Sequence, residues 1–199
     1  MECAPDAFLP ADIVALYEVH QWRHAIPLLG TVHPTEWAEI LEALRSLRVR
    51  KSHIEVGGKG KSKLSTEFDS GLYSRGWVEK KFATAIVLDG VQTPSPTHKI
   101  DCFKNRVALE LEWNNKTEFY DRDLNNFRLL FDLRAIDAGV VVTRCDELQR
   151  IFESLGRGAS YGNSTTILSK LLYKIDGGGA GGCPVVAFGM RAALYDPSS

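Results

Sequence analysis

A run of strict alternation fixes the centre of any fold open to this chain. Val107, Leu109, Leu111 and Trp113 alternate with Ala108, Glu110, Glu112 and Asn114. The strand period of two therefore puts the apolar set on one face and both glutamates on the other. The Cα atoms of Glu110 and Glu112 then lie ~6.5–7 Å apart. The apolar face belongs on a core, and the small Ala108 leaves room for something bulky over the acidic face. Asp101 stands just upstream, so carboxylates surround one strand.

Acids gathered in this way suit a hydrated magnesium ion and a phosphate. Mg²⁺ takes hard oxygen ligands, usually accepts only one or two carboxylates, and keeps its other positions for water and substrate. Asp101 and Glu110 are the natural ligand pair. Glu112 is the candidate to orient or deprotonate an attacking water, and the expected chemistry is metal-assisted phosphodiester cleavage. The same residues also suit a half-exposed strand with a solvated acidic face, and spacing does not separate the two readings.

A length of 199 residues suits one domain with a substantial core. The formal net charge of −1 excludes the global basic field of a non-specific nucleic-acid binder, so any DNA affinity must come from local patches. Cys3, Cys102, Cys145 and Cys183 are too scattered for a zinc knuckle or redox pair and read as free thiols of a reducing cytoplasm. Glu2 and Asp6 interrupt the N-terminus, and no stretch approaches ~18 apolar residues, so neither secretion nor a membrane span is expected.

Periodicity predicts helices over 11–29 and 34–48, the second behind Pro34, then a short strand at His53 to Val56. Further helices are expected at Ser65 to Trp77, Asp123 to Arg134, Asp146 to Leu155 and Thr165 to Ile175. Strands are expected at Ala85 to Leu88, Ile136 to Thr143 and Pro184 to Gly189. Helices mixed with strands that are apolar on both faces argue an α/β domain with a central mixed sheet flanked by helices.

Gly60-Lys61-Ser62 matches the end of a nucleotide phosphate loop, but Glu55 occupies the position where that motif needs glycine. Lys59, Lys61 and Lys63 then make either a basic loop touching DNA phosphates or a solvated one. His20 and His24 have the spacing of a zinc pair on a helix but lack the accompanying glutamate and a third ligand, which favours ordinary helix histidines. No Gly-x-Ser-x-Gly nucleophile elbow is present. Asn114, Asn115 and Lys116 could reach base edges or simply close a turn, and Tyr161 to Thr166 could contact DNA or cap a helix.

Taken in order, Asp101-Cys-Phe-Lys-Asn-Arg-Val-Ala-Leu-Glu-Leu-Glu, Tyr120-Asp-Arg-Asp-Leu, Ile136-Asp-Ala-Gly-Val and Gly182-Cys-Pro-Val-Val-Ala-Phe-Gly resemble the BglII and BstYI group of type II restriction endonucleases. Phe68 to Trp77 resembles the helix preceding that group's catalytic core. The resemblance runs from about Lys51 to Met190. It implies the PD-(D/E)xK nuclease fold, with an N-terminal helical portion (about 1–50) packed on a core (about 51–190) in one domain over 1–199.

The resemblance further implies a prokaryotic, cytoplasmic homodimer on double-stranded DNA, Mg²⁺ with Mn²⁺ able to substitute, and a palindromic site of six base pairs with a GATC centre. A cognate DNA methyltransferase is expected in the same system without direct contact. Asp101 and Glu110 fall at the metal-binding acids. Glu112 falls where the superfamily commonly has lysine and this group glutamine, although enzymes of the BamHI type carry glutamate there. Base-reading positions correspond to Asn114 and Asn115 and to the region of Arg157, Ser160, Tyr161 and Asn163. The alternatives are a repair or mobile-element endonuclease on the same core, and a DNA-binding module with a dead site.

Overall fold

The computed structural model describes residues 2–55, 60–95, 97–162 and 164–198. Helix α1 (Ala11–Leu16) passes directly into strand β1 (Tyr17–Trp22), which is followed by α2 (Ala25–Val32) and α3 (Pro34–Ser46). The helix expected over 11–29 is thus corrected, because residues 17–22 are an edge strand. Tyr17 and Val19 bury on the same core at strand spacing, and β1 pairs antiparallel with a distant strand. Non-local pairing overrides a local pattern that also fits a helix.

β2 (Val49–Arg50) leads into α4 (Lys51–Glu55) and not into the expected strand from His53, whose end at Val56 lies outside the described residues. His53 Nδ1 accepts from the Arg50 backbone N–H at 3.2 Å, which supports a helical start there. α5 (Lys63–Tyr73) begins where Ser62 caps it, its hydroxyl accepting from the Ser65 N–H at 3.0 Å. The Gly60-Lys61-Ser62 segment therefore starts a helix. Then come β3 (Val78–Lys80), the hairpin β4 (Ala85–Leu88) and β5 (Val91–Pro94), β6 (Ile100–Lys104) and β7 (Val107–Glu112).

α6 (Glu118–Asp132) starts earlier than the expected Asp123, with Glu118 and Asp121 in its first turn, where carboxylates meet the positive end of the helix dipole. β8 (Ala138–Arg144), α7 (Leu148–Ser154), α8 (Leu168–Asp176), β9 (Val185–Met190) and β10 (Tyr195–Asp196) complete the chain. α8 starts at Leu168 and not at Thr165, because Thr165 and Thr166 are engaged elsewhere: Lys116 and Thr165 form a β-bridge, and the Thr166 N–H donates to the Asn115 carbonyl at 2.8 Å.

Among the described residues the main sheet has six strands in the order β1-β9-β8-β7-β6-β3, with β7, β8 and β9 parallel and the outer pairings antiparallel. This is the expected mixed sheet. Val107, Leu109, Leu111 and Trp113 join the core beneath the N-terminal helices, and Ala108 joins Tyr120, Leu124 and Phe127 beneath α6. The hairpin β4–β5 stands apart, with Ile86, Val87, Leu88 and Val91 exposed. No described helix is long and apolar enough to cross a membrane. The four cysteines are free.

Close contact between α6 and the sheet depends on Gly139, where an added Cβ would lie 2.3 Å from the Phe127 ring. Gly139→Ala is accordingly expected to destabilise by about 1–3 kcal/mol through overpacking, read as a lower denaturant midpoint. An unchanged midpoint would mean that the ring yields without loss.

Candidate active site

The β6–β7 turn brings the first two acids together. It consists of Asn105 and Arg106, both left-handed at φ 42° and 68°, which is the geometry of a two-residue type I′ hairpin loop. Asn105 donates to Glu36 Oε1 at 2.6 Å, and the Arg106 guanidinium holds Asp137, its Nε donating to Oδ2 at 2.7 Å. The register that follows pairs Lys104 with Val107 and Cys102 with Leu109. Continued by one residue, it sets Asp101 against Glu110, and the Asp101 N–H donates to Glu110 Oε2 at 3.3 Å.

Burial excludes the solvated-face reading of β7, since Glu110 and Glu112 are each only 1% exposed. The Asp101 side chain is 28% exposed at the floor of a cleft of about 440 Å³. Glu112 sits at the same cleft and is held from both sides. The Asn115 amide donates to its Oε2, and Arg122 donates to its Oε1 at 3.1 Å. Thr143 donates to the Glu112 carbonyl at 2.8 Å and is itself bonded to the Tyr120 hydroxyl at 2.6 Å, which ties β7 and β8 to α6.

Two further acids complete the cluster, and sequence reasoning missed both. Asp123, buried on α6, accepts from Arg122 Nε at 2.8 Å, and the same guanidinium also holds Glu112. Asp69, buried on α5, forms an ion pair with Lys61. Each interrupts an apolar helical stripe: Tyr120, Asp123, Phe127 and Leu130 on α6, and Leu64, Phe68, Asp69 and Leu72 on α5. A charge at a core-facing position is rarely unpaired, and that was the available signal.

Crowding shifts the acids toward their neutral forms. Burial, then the charges of Asp123 and Asp101, hold Glu110 well above the ordinary glutamate value. Burial and then Asp123 also raise Glu112, and burial raises Asp123 despite the lowering effect of Arg122. Because the folded protein then binds more protons than the unfolded chain, stability contributed by these groups is full at acid pH and declines as pH climbs above the ordinary value of 4.5. Glu110→Gln is therefore expected to stabilise the protein in EDTA by about 0.5–2 kcal/mol at pH 8 and by little at pH 5. Thermal melts at the two pH values check this, and identical shifts at both would contradict the assignment.

The donor set fits a hard divalent cation. Glu110 Oε1 and Asp123 Oδ2 are buried without a hydrogen-bond partner among the described residues, and buried carboxylate oxygens of this kind are stable only when neutralised or bound to a cation. No group of three or more His, Cys, Asp or Glu side chains forms a ready-made cage among the described residues.

Of the expected DNA contacts, Asn114, Asn115, Arg157, Lys61 and Lys63 line the cleft with Asp101 and Glu112. Lys116 is drawn into the bridge with Thr165, which joins the two segments expected to read bases. Ser160 is exposed in the 3₁₀ turn Gly158–Tyr161. Tyr161 also lines the cleft, with its ring buried and stacked on Phe152 at 4.1 Å and its hydroxyl donating to the His53 carbonyl at 3.3 Å. Lys59 and Asn163 lie outside the described residues. His20 and His24 share no helix, since His20 lies in β1 and contacts Glu18 while His24 is the left-handed residue before α2.

A mixed sheet covered by helices, with acids on a hairpin at its centre, defines the restriction-endonuclease-like class of α/β nuclease core. The family model described as restriction endonuclease BglII/BglIII matches residues 17–190, and the chain belongs to that family. It is thus a nuclease, and double-stranded DNA is the partner that membership implies. Comparison with curated proteins finds no match.

Proposed function

We propose that the chain is a type II restriction endonuclease that hydrolyses one phosphodiester in each strand of a short palindromic site, leaving 5′-phosphate and 3′-hydroxyl ends. Asp101 and Glu110 would hold Mg²⁺, for which Mn²⁺ can substitute. When bound, such a cation neutralises charge developing at phosphorus and acidifies water. The observation that carries this reading is the unpartnered, buried Glu110 Oε1 beside the cleft-facing Asp101, in a chain of the BglII/BglIII family.

Glu112 takes the role of water-orienting base. Asn115 and Arg122 fix both of its oxygens, so the carboxylate keeps one direction when a proton is delivered to it. Arg122 also bonds Asp123 and so limits the repulsion among the acids. Base edges would be read by Asn114, Asn115, Lys116, Arg157, Ser160, Tyr161 and Asn163, and phosphates met by Lys59, Lys61 and Lys63. A homodimer with two-fold symmetry matches a palindrome of six base pairs with a GATC centre, and a cognate methyltransferase protects the host site.

The direct test is to incubate the purified protein with unmethylated phage DNA in Mg²⁺ and, in parallel, in EDTA. Discrete bands that vanish with EDTA are expected, and their ends give the site. A featureless smear would replace site-specific cleavage by a repair-type or non-specific nuclease. Intact DNA that is nonetheless shifted in a gel would leave a binding module.

A further inference from the structure

We infer that Lys61 is the resident counter-cation of the acid cluster and competes with a divalent cation for Asp101. The inference rests on the site reading above, in which Asp101 and Glu110 are the cation ligands. Lys61 Nζ forms an ion pair with Asp69 Oδ2 and lies 3.7 Å from Asp101 Oδ1. It therefore bridges a buried acid on α5 and the most accessible acid of the cleft.

The geometry makes Asp69 the anchor. Asp69 is 1% exposed and carried on a helix whose start is fixed by the Ser62 cap, and the Cys102 thiol lies 3.5 Å from its Oδ1. A buried carboxylate cannot be left without a cation at low cost, so Asp69 keeps the ammonium in place whether or not Asp101 needs it. Asp101 is held in turn, its carbonyl accepting from the Tyr73 hydroxyl at 2.9 Å. A divalent cation arriving at Asp101 meets a positive charge already within ion-pair distance of the same carboxylate and is repelled by it.

Lys61 can nevertheless turn away from Asp101 while keeping Asp69, because its side chain is 40% exposed and its contact with Asp101 is the longer one. A DNA phosphate entering the cleft offers the ammonium another anion, and its departure frees Asp101. Cation loading and DNA binding would then favour one another, as linkage requires of two ligands that both disfavour the same closed arrangement. Lys63 also borders the cleft but contacts neither acid among the described residues, so it carries equal charge without this position.

The test is a Mn²⁺ titration of the metal-free protein without DNA, followed by electron paramagnetic resonance. Lys61→Gln is expected to bind Mn²⁺ about 10-fold more tightly than wild type, equivalent to ~1.4 kcal/mol, and Lys63→Gln to match wild type. Equal or weaker binding by Lys61→Gln overturns the inference, as does equal tightening by Lys63→Gln. Glu110→Ala serves as the separate control: if it binds Mn²⁺ like wild type, the site reading itself fails. Should Lys61→Gln not fold with Asp69 left unpaired, the wild-type protein gives a second measurement. Saturating Mn²⁺ should speed modification of Lys61 by an amine-reactive ester several-fold relative to Lys63, and no change would overturn the inference.

Discussion

Asp101→Ala and Glu110→Ala are each expected to reduce cleavage by at least ~10³-fold, as loss of a metal ligand at a hydrolytic centre does, while the protein–DNA complex survives or tightens. The second half of this result follows from charge. Among the described residues, Asp69, Asp101, Glu110, Glu112 and Asp123 face only Lys61 and Arg122 in the cluster. A scissile phosphate therefore enters a field that is negative until a cation neutralises it. A unit charge ~6 Å from another is worth about 0.7 kcal/mol in water and about 3 kcal/mol at an effective dielectric of 20. Removing Asp101, which is partly solvated, should act toward the lower figure, and removing Glu110, which the metal-free protein holds toward its neutral form, should change binding less. Gel-shift titrations in EDTA, set beside cleavage rates in Mg²⁺, separate the two quantities. Binding lost in step with cleavage would show that these acids support the fold or the DNA surface and do not hold a cation.

Trp113→Ala should cost about 3–5 kcal/mol of folding stability, the usual range for deleting a large aromatic side chain from a core. Trp113 is 2% exposed and meets the rings of Phe152 and Tyr161 edge-on, each at 5.7 Å between centroids. Those rings belong to α7 and the 3₁₀ turn, and the buried Arg144 donates to the Tyr161 carbonyl at 2.9 Å beside them. The cavity left by Trp113 would therefore open under the segment that carries Arg157. Chemical denaturation measures the loss, and hydrogen exchange should show residues 157–162 opening before the sheet. A loss below about 1 kcal/mol would mean that the aromatic cluster repacks, and the loop would then owe its position to Arg144.

The central strand was legible because alternation is a local property. Val107 to Trp113 on one face and Ala108 to Glu112 on the other follow from backbone geometry alone, as do the helix behind Pro34 and the body of the helix expected from Ser65. The strand β1 was not legible. Its residues fit a helical stripe as well as a strand, and only pairing with β9, far along the chain, decides between them. The short helix α4 was misread for the related reason that five residues carry too little periodicity to distinguish helix from strand.

Within the site the same division holds. The sequence by itself determined that Glu110 and Glu112 share a face and that Asp101 is near, and its motifs carry the family. Tertiary structure decided how close Asp101 comes, because the separation depends on a tight left-handed turn at Asn105 and Arg106, which are not the usual Asn-Gly pair and owe their conformation partly to Glu36 and Asp137. It also decided that the acidic face is buried, since a strand's period names its faces without saying what covers them. Asp69, Asp123 and Lys61 enter the cluster only when α5 and α6 pack on the sheet. Side-chain direction is set by the local backbone, whereas the company each side chain keeps is set by packing between segments distant in the chain.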